Sequence, residues 1–169
     1  MNVYDDILDP TVVSHSETGH FTTAEYIELI TVNTNLIKVY RVADDGRVLC
    51  LTHQFNLRGK INDIALIPGN STTANKLSSD LDYMLVSTGV AKLSIIRYNI
   101  DRNDLETISL HYYEDKLRVT SLVELAKQSQ LRIEPNKKCA LLFNNDSIAL
   151  LPFVQNEKLD DDDDDDDDG

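Results

Sequence analysis

The feature that most limits this chain is its cadence. Short apolar runs rich in β-branched residues alternate with turn signals almost from end to end. Runs of this length read as strands rather than helices. They fall at residues 26–34, 36–42, 48–55, 61–67, 83–87, 92–99, 107–113, 139–143 and 148–153, after a short apolar start at 11–14. Asp44-Asp45-Gly46 tolerates positive φ and reads as a hairpin turn. Pro68-Gly69 closes one run, Gly89 breaks another, and Asn144-Asn145-Asp146 turns the last pair. Residues 69–80, rich in Ser, Thr, Asn and Asp, are expected to form an exposed loop. Residues 107–113 alternate, with Ile108, Leu110 and Tyr112 on one face and Thr107, Ser109 and His111 on the other. The expected class is all-β.

Helical signal is confined to two capping-box patterns, in which a hydroxyl caps a backbone N–H and a Glu reaches back. Thr22-Thr23-Ala24-Glu25 supports a single turn, and Ser121-Leu122-Val123-Glu124 opens a short helix through about Lys127. A weak repeat overlies the strands. Leu29-Ile30, Leu85-Val86 and Leu141-Leu142 stand 56 residues apart, each opening a run that is followed by a second, near Val39, Ile95 and Leu151. Any three hairpins share part of this pattern. The period also suits the ~40–50-residue blades of a β-propeller with some insertion. Several runs are apolar throughout, as befits strands covered on both faces by neighbouring blades.

Charge narrows the partners. The formal charge is −13, but nine of the acidic residues form one run, Asp160 to Asp168, so the rest carries only −4. That run repels itself and buries no apolar area, so residues 156–169 read as a disordered acidic tail or insertion beside a folded part at 1–155. It lacks the spaced oxygens and turn glycine of a calcium loop. The basic residues are scattered, the densest groups being Arg58 with Lys60 and Lys137 with Lys138. They read as a solvated mixed surface rather than an RNA-binding stripe, which needs clustered cations. No apolar run approaches the ~18–20 residues of a membrane span, and residues 1–6 do not resemble a secretory leader. Cys50 and Cys139 sit in apolar stretches and read as small buried hydrophobes rather than a disulfide.

Catalytic patterns are missing. There is no nucleophile elbow, phosphate loop or His-Glu-x-x-His motif. Of the histidines His15, His20, His53 and His111, none has cysteine or paired carboxylate neighbours at ligand spacing, so no metal or cofactor is expected. His53 and His111 lie in strands beside aromatics and read as structural. Ser14-His15 is no triad signal, because triads are set in space. Asp5, Asp6 and Asp9 read as a polar cap on the first strand. Tyr112-Tyr113 offers a stacking platform for single-stranded bases, but alternation turns one of the two inward, toward core packing. Asn70-Ser71-Thr72 and Asn145-Asp146-Ser147 are formal glycosylation sequons, with little weight in a chain without a leader.

The residues themselves go further than their pattern. Gly19-His20-Phe21-Thr22-Thr23-Ala24-Glu25, then Leu29-Ile30 and Leu36-Ile37-Lys38-Val39-Tyr40, resemble the opening of a family of triple-propeller scaffolds. That family includes the large damaged-DNA-binding subunit of a ubiquitin ligase and a spliceosomal counterpart. Ala91-Lys92-Leu93-Ser94-Ile95 with Leu110-His111-Tyr112-Tyr113-Glu114, and Arg132-Ile133-Glu134-Pro135 leading to Cys139-Ala140-Leu141-Leu142 and Leu151-Pro152-Phe153, resemble the largest subunit of the cleavage and polyadenylation factor. Met1-Asn2-Val3-Tyr4-Asp5-Asp6 with Thr11-Val12-Val13-Ser14-His15 is similar to its yeast form.

The resemblance covers nearly all of residues 1–155. It implies a nuclear, non-enzymatic scaffold for pre-mRNA 3′-end processing. Its partners would be a WD-repeat subunit and a zinc-finger subunit, with pre-mRNA met chiefly through them, and with no membrane or small-molecule substrate. It assigns no binding residue to a numbered position.

Family members are far longer, so the chain is expected to supply about three blades of a first propeller, open and incomplete. Terminal blades of an open ring expose faces made for neighbours, and the last apolar pair, residues 139–153, should be an association hazard. A rival expectation is direct RNA contact, with Tyr112 or Tyr113 stacking and Arg97, Arg102 or Lys137 near phosphates. Another is a short competitor of the full-length subunit.

Overall fold

The computed structural model describes residues 12–43, 46–69, 81–89, 92–113, 129–136, 139–144 and 147–153. Among them every regular element is a strand. Strands β1 (His15–Gly19), β2 (Glu28–Asn33), β3 (Leu36–Val42) and β4 (Leu49–Asn56) make one four-stranded antiparallel sheet, paired in chain order. A second follows with β5 (Ile61–Ile67), β6 (Tyr83–Thr88), β7 (Lys92–Asn99) and β8 (Asp104–Tyr112). The third holds β9 (Gln130–Ile133), β10 (Cys139–Asn144) and β11 (Ser147–Pro152).

The first strands β1, β5 and β9 stand next to one another, β1 against β5 and β5 against β9. The later strands of each sheet step away from them. Three meanders sharing a hub of first strands are three blades of a partial β-propeller.

Packing follows from strand alternation. On β6, Met84 and Val86 face the first sheet and Leu85 faces the third, and all are essentially sealed from solvent. The first core joins Phe21, Ile30, Val32, Ile37 and Val39 to Ile61, Ile64, Met84, Val86 and Ile96. The second joins Ala65, Leu85 and Leu93 to Leu131, Ala140 and Leu142. Each large side chain so buried contributes about 1.5–3 kcal/mol. The inner strands of the middle blade are thus covered on both faces, as the largely apolar runs 61–67 and 83–87 predict. The outer blades are not: Leu49 and Leu51 on the first, and Ile148 and Leu150 on the third, are about half exposed or more.

Several expectations shift. The first strand is not the apolar 11–14, where Val12 and Val13 lie exposed, but the polar His15–Gly19 beside it. It is held by ladder bonds to β2 and by polar groups at the hub rather than by apolar burial. β9 was not anticipated, because four residues with two apolar side chains give no run. Thr22-Thr23-Ala24-Glu25 forms no helix. Thr23 Oγ1 accepts the Glu25 N–H at 3.2 Å, a local hydroxyl turn, while Thr22 is bound elsewhere.

The apolar row Ile108, Leu110 and Tyr112 of β8 faces solvent, and Ser109, His111 and Tyr113 turn inward. Cys50 and Cys139 are free and half-buried rather than buried. The 56-residue spacing marks the second strand of every blade, but Leu29 lies on the opposite face from its counterpart, because Ile30 rather than Leu29 enters the first core. The loop at 70–80, the helix at 121–127, the turn residues 44–45 and 145–146, and the acidic tail lie outside the described residues.

Candidate functional site

Polar side chains gather where the three first strands meet. The ladder between β5 and β6 slips between Ile61 and Asp63, which leaves Asn62 unpaired in register and re-aims its neighbour. Asp63 is 9% exposed and serves all three blades. Its Oδ2 accepts the Leu131 N–H at 2.9 Å and the Arg132 Nη1 at 3.2 Å. Its Oδ1 accepts the Ile64 N–H at 3.0 Å and stands 3.2 Å from His15 Nδ1. One side chain of the second blade therefore ties a first-blade imidazole to a third-blade backbone and guanidinium.

Glu17 sits two residues along β1 on the same side as His15. Burial pushes its carboxyl above the usual carboxylate range and Asp63 adds to this, while Arg132 pulls the other way. Behind Asp63, Ser87 and Ser129 share a 2.6 Å hydrogen bond across the second core, and Asn62 Nδ2 donates to the Gly89 carbonyl. An open cleft of about 320 Å³ lies over the group, lined by His15, Asn62, Asp63, Ser129, Gln130 and Arg132.

The contacts in this arrangement join strands of the three blades. The two buried serine hydroxyls bond each other, which activates neither as a nucleophile. Among the described residues no group of three or more His, Cys, Asp or Glu side chains could hold a metal. The arrangement adds directional ties between sheets that also meet through apolar contacts.

A second polar knot fixes the β1–β2 loop. Glu28, 1% exposed, accepts the Phe21 N–H at 3.1 Å, the Thr22 N–H at 2.6 Å and the Thr22 hydroxyl. Asp82 accepts the His20 N–H at 2.7 Å and returns its own N–H to the His20 carbonyl at 2.7 Å. A Cβ on Gly19 would overlap Asp82 Oδ2 and come within 2.6 Å of Leu66 Cδ1, so this close approach needs glycine.

The residues singled out from sequence land as follows. His53 stacks on Phe55 and meets the Tyr98 hydroxyl at 3.2 Å, and His111 stacks on Tyr113 and meets Ser109 Oγ at 3.1 Å. Tyr113 packs against the second core. Tyr112 is exposed, with Lys92 Nζ 5.0 Å above its ring. Arg97 is engaged by Glu106 at 2.9 Å, Arg102 is exposed, and Lys137 lies outside the described residues. Of the side chains named in the RNA expectation, Arg97 is thus occupied by Glu106 and Tyr113 by the second core. Asp63, Glu17 and Arg132 were not foreseen. Asp63 showed in the sequence only as an interruption of an apolar run.

Comparison with known proteins agrees with this architecture. Residues 12–147 match the family model described as RSE1/DDB1/CPSF1 first beta-propeller. The chain is 54% identical over 153 residues to Protein CFT1 of Candida glabrata, which is 90% of this chain and 11% of that protein. It is 54% identical over 157 residues to Protein CFT1 of Saccharomyces cerevisiae, 93% of this chain and 11% of that protein. Against Protein CFT1 of Kluyveromyces lactis the identity is 37% over 156 residues, 92% and 11%. The chain therefore spans about 11% of the length of these relatives. With a family match over most of its length and relatives sharing more than half of its aligned residues, the chain belongs to the RSE1/DDB1/CPSF1 first beta-propeller family.

Proposed function

We propose that this chain is a first-propeller segment of a cleavage and polyadenylation factor large subunit, acting as a non-catalytic scaffold in pre-mRNA 3′-end processing in the nucleus. The observation that carries this reading is the 54% identity to Protein CFT1 across nearly the whole chain. The pairing of Arg97 with Glu106 and the packing of Tyr113 against the second core support a scaffold over a direct RNA binder.

In this reading residues 1–155 form the propeller segment and 156–169 an acidic spacer. Contacts run through blade faces and loops, with apolar anchors and polar rims. Its neighbours are a WD-repeat subunit and a zinc-finger subunit, and pre-mRNA is reached through them. The half-exposed apolar faces of the outer blades are surfaces for further blades or subunits.

The test uses an antibody raised against residues 69–80 to capture the native antigen from nuclear extract, followed by mass spectrometry of the antigen and its companions. A very large antigen accompanied by 3′-end-processing subunits supports the reading. An antigen of 19.1 kDa without such companions rejects it.

A further inference from the structure

We propose that this chain pairs with a second copy of itself. The free face of the third blade in one copy seats on the free face of the first blade in the other, and the reverse, closing a ring of six blades. The pairing does not depend on the role in RNA processing. It follows from how the two existing blade junctions are made. At the first, Ile30 and Val39 of the first blade meet Met84 and Val86 of the second. At the next, Leu85 and Leu93 of the second blade meet Ala140 and Leu142 of the third. Each junction sets the leading face of one blade on the trailing face of the blade after it.

One trailing face and one leading face are left over. On the first blade the register sets Leu29, Tyr40 and Leu51 side by side, and Val42 beside Leu49. Strand alternation turns this row away from the second blade, because Ile30 and Val39 point toward it. On the third blade Leu141 lies beside Leu150 and Phe143 beside Ile148, again on the side away from the second blade. Val42, Leu49, Leu51, Ile148 and Leu150 are 49–63% exposed. A terminal repeat that stands alone carries a polar outer face, and both of these rows are apolar.

A second copy is the occupant because the two faces stand in the same relation as the faces already joined, trailing to leading. A contact between unlike faces repeats until its rotation closes. The hub strands run in the order β1, β5, β9, so the chain is an arc that ends in its first and third blades. A two-fold axis through the hub brings both ends of one arc onto both ends of another. Every leftover face is then covered at once, by two identical seams. Six blades lie within the ~4–8 of closed propellers. The drive is the apolar area that both seams remove from water.

The test is sedimentation equilibrium of the full chain over a concentration series. The parent should reach twice the 19.1 kDa of one copy and stop there. Leu49→Lys with Leu51→Lys alters the first-blade face, and Ile148→Lys with Leu150→Lys the third-blade face. Each pair should give monomer, because both seams need both faces. All four side chains are about half exposed or more, so the cores stay intact, and a far-UV spectrum like the parent's shows that each variant is folded. Loss of the dimer in only one of the two variants would mean that like faces meet, and would overturn the ring. A parent that stays monomeric at every concentration would overturn it without any variant, as would an open series of growing masses.

Discussion

Replacing Asp63 by alanine should weaken the chain through its blade junctions rather than through a core. The substitution leaves the Leu131 N–H, at the start of a sheathed strand, without its 2.9 Å acceptor. An unpaired buried donor costs about 1–3 kcal/mol. Arg132 is 60% exposed, so its share of the ion pair is about 0–1 kcal/mol. The partly buried His15 contact adds an amount in between, for a total of about 2–4 kcal/mol. That is a large part of the ~5–15 kcal/mol by which domains are usually stable. Urea unfolding of the full chain should show the midpoint falling by about 1–2 M. Asp63→Asn should lose most of the same amount, because its amide must turn donors toward one pair of existing donors. A loss below about 1 kcal/mol for Asp63→Ala would refute the claim that this carboxylate joins the blades.

Other outcomes follow from the same geometry. Glu28→Ala should lower stability by about 2–4 kcal/mol, because two buried backbone N–H groups and a hydroxyl lose one shared acceptor, and thermal melting reads it. Gly19→Ala should cost about 1–3 kcal/mol by forcing Leu66 or the pinned Asp82 to move, again seen as a lower melting temperature. Ile148→Lys with Leu150→Lys should leave the melting temperature nearly unchanged while shifting the light-scattering mass toward monomer, because both side chains are more than half exposed. The Arg97–Glu106 pair holds Glu106 below the usual carboxylate range, so its small contribution is present above the ordinary Glu pKa and fades as pH falls through the depressed one. Glu106→Gln should therefore leave neutral-pH stability essentially where it was.

Much of the fold could be read in advance, for a physical reason. The inner strands of the middle blade are buried on both faces, so residues 61–67 and 83–87 are largely apolar, broken only by Asn62, Asp63 and Ser87, and a run of that kind is visible without partners. β1 and β9 escaped notice for the opposite reason. His-Ser-Glu-Thr-Gly and Gln-Leu-Arg-Ile are strands because β2 and β10 give them ladder partners and the hub gives them polar ones. Neither requirement leaves an apolar period in the sequence. The face of β8 was misleading too. An outer strand of an outward-stepping sheet can carry Ile108, Leu110 and Tyr112 to solvent while its inward row is Ser109, His111 and Tyr113. The hub was out of reach because His15, Asp63 and Arg132 meet only through folding, the last pair being 69 residues apart. The family resemblance fared better, because strings such as the one from Gly19 to Glu25 encode loop geometry: the Gly19 approach and the Glu28 bonds demand particular residues there.

The most direct test of the account replaces the matching segment of Protein CFT1 in Saccharomyces cerevisiae with residues 1–155 of this chain. Growth, chimera abundance and in-vitro cleavage and polyadenylation are then measured together. A stable chimera that supports both reactions is expected, with reduced abundance when Asp63→Ala is added. A chimera that accumulates normally yet fails in cleavage and polyadenylation would contradict it.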